Sequence, residues 1–200
     1  MASKIIVDQL QKSGYTALTL PSANATANQI LKNDGAGALS WATDEGAPPK
    51  IGQVVQSVKT DTFTTASSAW IDIPDLSVAI QPTSVTSKVL VFMNVNGIGT
   101  YGASGGWVKI VRDSTDIAVG DTAGSRQRAS NANYESDTGG STPFSTVWLD
   151  NPGTTSIVTY KVQGFAQTTH TFYVNRTEAD TDMIGYARTV STITVMEYLV

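Results

Sequence analysis

There is no cysteine in these 200 residues. That removes disulfides, thiolate nucleophiles and cysteine-type zinc sites together. Durability then has to come from packing and assembly. Histidine is almost absent too, with His170 as the single copy. A Ser-His-Asp site would have to use it. It sits in the plain context Thr168-Thr169-His170-Thr171, which reads as a strand-edge or surface histidine. Charge is scarce: 15% of residues are charged and the net charge is -4, against about a quarter charged in ordinary soluble domains. The 13 basic residues are scattered, so nothing forms the cationic stripe that neutralises a nucleic-acid backbone. Long apolar runs are missing as well. Near the N-terminus Ile5-Ile6-Val7 stops at Asp8 and Gln9, which predicts neither a secretory signal nor membrane insertion.

What is present points to strands. Hydrophobic residues make up 40% of the chain, enough for a core. Ser and Thr supply roughly a quarter of it, more than usual, and β-branched Thr suits strands as Gly and Ser suit turns. From residue 51 onward the apolar residues alternate. The strongest segment is Lys88 to Val95, with Val89, Val91, Met93 and Val95 on one face and Leu90 and Phe92 on the other. Such a doubly apolar strand belongs in the centre of a sandwich. Further strands are predicted over 52–59, 70–74, 76–80, 107–112, 116–119, 144–149, 156–165, 171–175 and 191–199. In the last of these Ile193, Val195 and Leu199 alternate with Thr192, Thr194, Met196 and Tyr198. No helical period competes. Many short strands separated by turn signals predict an all-β fold, a β-sandwich. Two polar stretches, 120–142 and 177–188, are long enough to suggest a task of their own.

The chain is expected to divide at a Pro-rich connector, 46–50, containing Pro48-Pro49. Residues 1–45 are too few for a private core. Within them, Gln29 to Trp41 around Asp34-Gly35 reads as a β-hairpin. The competing reading is a short helix over 23–31 capped by Ser22. Either way Ile5, Ile6, Val7, Ile30, Leu31, Leu39 and Trp41 need something to bury against, and become candidate assembly contacts.

Three motifs invite chemistry. Gly97-Ile98-Gly99-Thr100-Tyr101-Gly102 has the spacing of a dinucleotide-binding turn, but the chain continues toward another strand where that turn needs a helix; an inter-strand loop is the better account. Asp137-Thr138-Gly139 matches the aspartic-protease tripeptide without the second carboxylate that chemistry requires. Glu178, Asp180 and Asp182 are oxygen-rich but lack EF-hand spacing, and read as a solvated acidic loop. No catalytic residue, metal site or cofactor follows, so the chain is expected not to be an enzyme. Tyr101, Arg126, Arg128 and Tyr134 lie on the glycine-rich and polar loops and are candidate receptor contacts. Trp107 belongs with the same group as a recognition aromatic, with the start of a core strand as its competing reading.

Five stretches carry a resemblance. Met1 to Leu10, Leu18-Thr19-Leu20-Pro21 and Asn28 to Trp41 resemble the start of structural, tail-fibre-like virion proteins of tailed bacteriophages of marine and freshwater hosts, cyanophages included. Gln53 to Thr60 and Ser191 to Glu197 are similar to the same group. The resemblance implies an exposed virion protein, usually a homotrimer, with no enzymatic activity. The strand order is also similar to the jelly-roll heads of complement- and tumour-necrosis-factor-like trimers. The expected architecture is thus a jelly-roll-like β-sandwich over 51–200 behind a short extended anchoring segment, 1–45. Its partners would be itself, other virion proteins through that segment, and a host-surface glycan or protein. Two roles compete: a short tail fibre or receptor-binding protein, and a capsid decoration protein that staples the head shell.

Overall fold

The computed structural model describes residues 9–11, 13–44, 50–99, 104–134 and 140–200. The chain forms two compact units, Met1–Pro48 and Pro49–Val200. Most of the predicted connector, 46–49, lies outside the described residues.

The first unit holds four short strands: β1 Gln9–Leu10, β2 Leu18–Thr19, β3 Gln29–Asn33 and β4 Leu39–Thr43. β1 pairs with β2 and β3 with β4, both antiparallel. The hairpin reading of this segment holds, and no helix forms over 23–31. The turn explains why. Gly35 and Gly37 take positive φ, 84° and 104°, which β-carbons resist. The Asp34 carboxylate accepts from the amides of Ala36 (2.8 Å) and Ala38 (3.0 Å), and these amides hold its carboxyl below the usual range. Trp41 Nε1 donates to the Ala23 carbonyl at 2.7 Å. Among the described residues of this unit no side chain is buried.

The second unit carries the remaining strands: β5 Ile51–Lys59, β6 Phe63–Thr65, β7 Ile71–Ile80, β8 Lys88–Gly99, β9 Ser104–Arg112, β10 Thr115–Ile117, β11 Asn131–Tyr134, β12 Thr142–Asp150, β13 Val158–Ala166, β14 Phe172–Val174 and β15 Ser191–Tyr198. All pairings are antiparallel. One sheet runs β5-β15-β8-β12, with β14 and β6 prolonging β15 and β5. The other runs β7-β13-β9, and both β10 and β11 lie along the free edge of β9. With β10 and β11 counted as one, the main strands in chain order are β5, β7, β8, β9, β10/β11, β12, β13 and β15. The first, eighth, third and sixth then form one sheet, and the second, seventh, fourth and fifth the other. That order is a jelly roll.

The core is the set of inward rows from both sheets. Val89, Val91, Met93 and Val95 of β8 face Ile73, Leu76, Val78 and Ile80 of β7 and Val158, Tyr160 and Val162 of β13, with Ile193 and Val195 of β15 between. Each fully buried aliphatic contributes on the order of 1.5–3 kcal/mol relative to exposure. Phe172 is the keystone. A β-carbon built on Gly106 would stand 1.9 Å from its ring, and on Gly97 2.8 Å. The ring occupies room that only glycines on β8 and β9 leave open.

The structure corrects several strand readings. The segments 70–74 and 76–80 are one strand, β7, bent where Pro74 and Asp75 (φ 63°) interrupt the register against β13. Such a bulge shifts the inward row from Ile73 to Leu76. β6 and β11 were not foreseen; both are short and polar, and pairing with β14 and β9 defines them. β11 lies inside the stretch read as loop 120–142. Gly97 and Gly99 belong to β8 and not to a loop. At the chain end the inward row is Ser191, Ile193, Val195 and then Glu197, not Leu199. Glu197 is fully buried because its carboxylate is fully engaged. It accepts from Thr83 N (2.6 Å), Thr83 Oγ1 (2.7 Å) and Gln53 Nε2 (3.0 Å). Burial alone would raise its pKa, but the donors of Thr83 and Gln53 help to outweigh it and hold it low.

Two further polar clusters brace the sandwich. Asn175, buried at φ 60°, donates from Nδ2 to the carbonyls of Lys59 (2.8 Å) and Asp61 (2.9 Å) and accepts from Ser191 Oγ (2.6 Å). Tyr160 donates its hydroxyl to Asp150 at 2.7 Å, and Arg112 grips the same carboxylate. Burial, and then the Asp150 carboxylate, push the Tyr160 phenol well above its ordinary range.

Candidate functional site

The outward face of the β7-β13-β9 sheet carries an aromatic row. β13 and β9 place Phe165 opposite Trp107, and Trp70 enters from the start of β7. The ring centroids of Trp107 and Phe165 are 5.0 Å apart, those of Trp70 and Phe165 5.3 Å, the spacing of favourable tilted pairs. Lys109 lies two residues beyond Trp107 on the same face. Its ammonium sits 4.7 Å from the Trp70 ring and 2.7 Å from Asp116, so the cation is neutralised in place.

The loop between β10 and β11 rises beside this row. It is a closed structure. Gly120 N donates to Ala129 O at 3.2 Å, Arg128 Nε donates to Gly120 O at 2.6 Å, and Ser130 N donates to Val108 O at 2.9 Å. Trp70 Nε1 reaches Gln127 Oε1 at 3.3 Å, joining loop to row. Arg126 stands at the crest, exposed, with no ion pair among the described residues. On one side of this crest is an open cleft of about 570 Å³ lined by Trp107, Phe165, Ser125, Arg126, Gln127, Gln167 and Thr168. A smaller one of about 330 Å³ lies on the other side, sharing Trp107, Arg126 and Gln127. The larger falls in the size range of small-ligand sites. Ring faces, a guanidinium and amide and hydroxyl groups can hold a ligand there. They include no activated nucleophile.

The candidate receptor contacts are spread differently from the sequence expectation. Arg126 is at the cleft. Arg128 is tied into the loop's own closure. Tyr134 ends β11, with only its backbone described, and Tyr101 lies outside the described residues. Trp107, weighed between recognition and a core strand, opens onto both clefts and lines them. Trp70 and Phe165 were not foreseen as its partners. They are 37 and 58 positions away in sequence, and only strand register joins them. Of the candidate assembly contacts, Ile30 and Leu31 are exposed (46% and 45%). Leu39 and Trp41 are half-buried, and Ile5, Ile6 and Val7 lie outside the described residues.

The remaining motifs resolve as structure. His170 closes a turn, its amide donating to Gln167 O at 2.9 Å. Asp180 is braced by Arg188 at 2.9 Å and Arg176 at 3.4 Å, so one member of the acidic loop is ion-paired, while Asp182 is exposed as a solvated loop would place it. Asp137-Thr138-Gly139 lies outside the described residues. Gly102-Ala103-Ser104-Gly105-Gly106 has the spacing of a nucleophile elbow, correcting the reading that the chain lacks that motif. That motif needs a turn from strand into helix; here Ser104 opens β9, which runs on to Arg112. Among the described residues no group of three or more His, Asp or Glu could hold a metal ion, and no helix is long and apolar enough to cross a membrane.

No family model matches the chain, and no curated protein matches it. Among solved structures it is similar to that of the infectious bursal disease virus Gt strain, at 13% identity and a TM-score of 0.40, covering 94% of this chain and 46% of that one. It is also similar to a mutant VP2 protein of infectious bursal disease virus in derived particles, at 12% identity and a TM-score of 0.40, covering 95% of this chain and 48% of that one. The chain thus spans about half the length of these structures.

Proposed function

We propose that this chain is a non-enzymatic structural protein of a bacteriophage particle, displayed on the virion surface as a homotrimer in the manner of a short tail fibre or receptor-binding protein. Residues 1–45 anchor it to other virion proteins, and the jelly roll offers the Trp107–Arg126 cleft to a glycan or protein of the host surface. The observation that carries this reading is the contrast in burial. The N-terminal unit orders its strands yet buries none of its described side chains, and it leaves Ile30 and Leu31 facing water. A segment so built gains stability from a partner, while the second unit has a full core of its own. The virion assignment rests on the resemblance of the N-terminal stretches. The non-enzymatic reading is supported by the ion pairs, which join strands or brace loops.

Capsid decoration is the second reading, favoured by the short free-edged strands of the first unit, which suit strand addition across neighbouring subunits. Copy number in purified particles separates the two: stoichiometry matching the tail supports a fibre, and stoichiometry matching the capsomers replaces it with decoration. Deleting residues 1–45 is expected to leave a soluble, folded 51–200 that no longer joins the particle. Incorporation of the truncated chain at parental levels would overturn the anchoring role.

A further inference from the structure

The outward face of the β5-β15-β8-β12 sheet is unlike the rest of the domain's surface. Register aligns Val54, Met196, Leu90 and Leu149 in one row across all four strands. Phe92 and Val147 extend it on the neighbouring row. Three of these are well exposed: Val54 at 56%, Val147 at 59% and Leu149 at 49%. The polar residues beside them pair with one another in the plane of the face, Gln56 with Thr194 at 2.8 Å and Ser145 with Asn94 at 3.1 Å. Lys88, at the end of the face, is the only charge among the outward positions paired across β5, β15, β8 and β12. The opposite face of the sandwich is charged, with Lys161 and Gln163 both bound to Asp72 and Lys109 bound to Asp116.

From these observations we infer that the uncharged face of the β5-β15-β8-β12 sheet is where one copy of this chain packs against another. Charge and area single out that occupant. A face whose one charge, Lys88, stands at its end offers little to a polyanion or an oppositely charged protein, and it meets a second copy with little repulsion; cores of homo-oligomer interfaces are apolar and charge-depleted in this way. The area suffices too. Four strands about 4.8 Å apart and about ten residues long present on the order of 600 Å², and two such surfaces together reach the roughly 1,200 Å² at which stable interfaces begin. Within that face the apolar row of Val54, Met196, Leu90 and Leu149 runs unbroken across all four strands, and contiguous apolar patches on monomers often mark binding surfaces.

The inference rests on the reading that the chain assembles with itself, and it adds which surface does so. The test uses the full chain. Light scattering coupled to size exclusion is expected to show an oligomer of the parent, and loss of that oligomer in Val54→Lys/Leu149→Lys with an unchanged far-UV dichroism spectrum. A monomeric parent, or a variant that keeps the parental mass, overturns it. Should the lysine variant precipitate, Val54→Cys provides a second readout, since the chain has no other thiol. Maleimide labelling is expected to slow at least about 10-fold in the concentrated oligomer relative to a dilution that dissociates it. Equal rates overturn the inference, as does protection that persists in a monomer, which would assign the face to the chain's own N-terminal unit. Particle incorporation reports on residues 1–45 and oligomer mass on the sheet face, so failure of one is distinguishable from failure of the other.

Discussion

The two units are made of the same material and end differently. Both consist of antiparallel strands joined by Gly, Asn and Asp turns. In the first, β3 and β4 pair over five residues each and no described side chain is buried. In the second, β8 alone contributes Val89, Val91, Met93 and Val95 to a closed core. Hydrogen-bonded strands by themselves therefore do not make a domain. A hairpin is marginal in water, and it takes a second sheet to convert alternation into burial. Among its described residues, the first unit holds its strands by hydrogen bonds without that second layer.

The largest expected effect comes from disturbing the keystone of the second unit. Gly106→Ala drives a methyl into the Phe172 ring, and overpacking of this kind costs about 3 kcal/mol. Urea unfolding of the full chain should show a lower midpoint for the jelly roll; an unchanged midpoint would mean that Phe172 has room the geometry denies. Glu197→Gln comes next. It removes the charge that Thr83 and Gln53 solvate, worth about 2 kcal/mol at neutral pH for charged hydrogen bonds in a buried site. The folded pKa is depressed, so this stabilisation is present above the ordinary value of 4.5 and is lost as pH falls below it toward the folded value. Thermal melts across the acid range should therefore be steeper in pH for the parent than for the variant, and parallel curves would remove Glu197 from the acid response. The smallest effect sharpens the comparison from the other side. Ile30→Ser/Leu31→Ser alters exposed side chains outside the jelly-roll core, so the main unfolding midpoint should stay within about 0.5 kcal/mol of the parent while particle incorporation falls. A large drop in midpoint would show that the first unit contributes to global stability.

Much of the second unit was legible. β5, β8, the β9–β10 hairpin, β13, β14 and β15 follow from period-2 alternation, because an inward row must be apolar to be buried. The hairpin of the first unit was legible from Asp34-Gly35, since a positive φ is cheap there. β6 and β11 were not, as short Thr- and Asn-rich segments become strands only when an existing edge pairs with them. The merging of two predicted strands into β7 was hidden by Pro74, which looked like a terminator and acts as a bulge. Of the site, Arg126 was visible as a cation on a polar loop. Trp107 was visible beside the same loops, with a core strand as its competing reading, and its companions Trp70 and Phe165 carried no local sign.

By itself, then, the sequence determined the strand-rich character, the absence of disulfides and the expectation that residues 1–45 hold no private core, which matches the lack of buried side chains among the described ones. Each of these depends on composition or on neighbours within a few positions. Tertiary structure decided the rest: the glycine niche for Phe172, the buried carboxylate of Glu197, the aromatic row beneath Arg126 and the uncharged apolar face around Leu90. All four arise where residues far apart in the chain meet across strands. Which residues meet is set by register and sheet order, and these emerge only when the whole sandwich closes on its core.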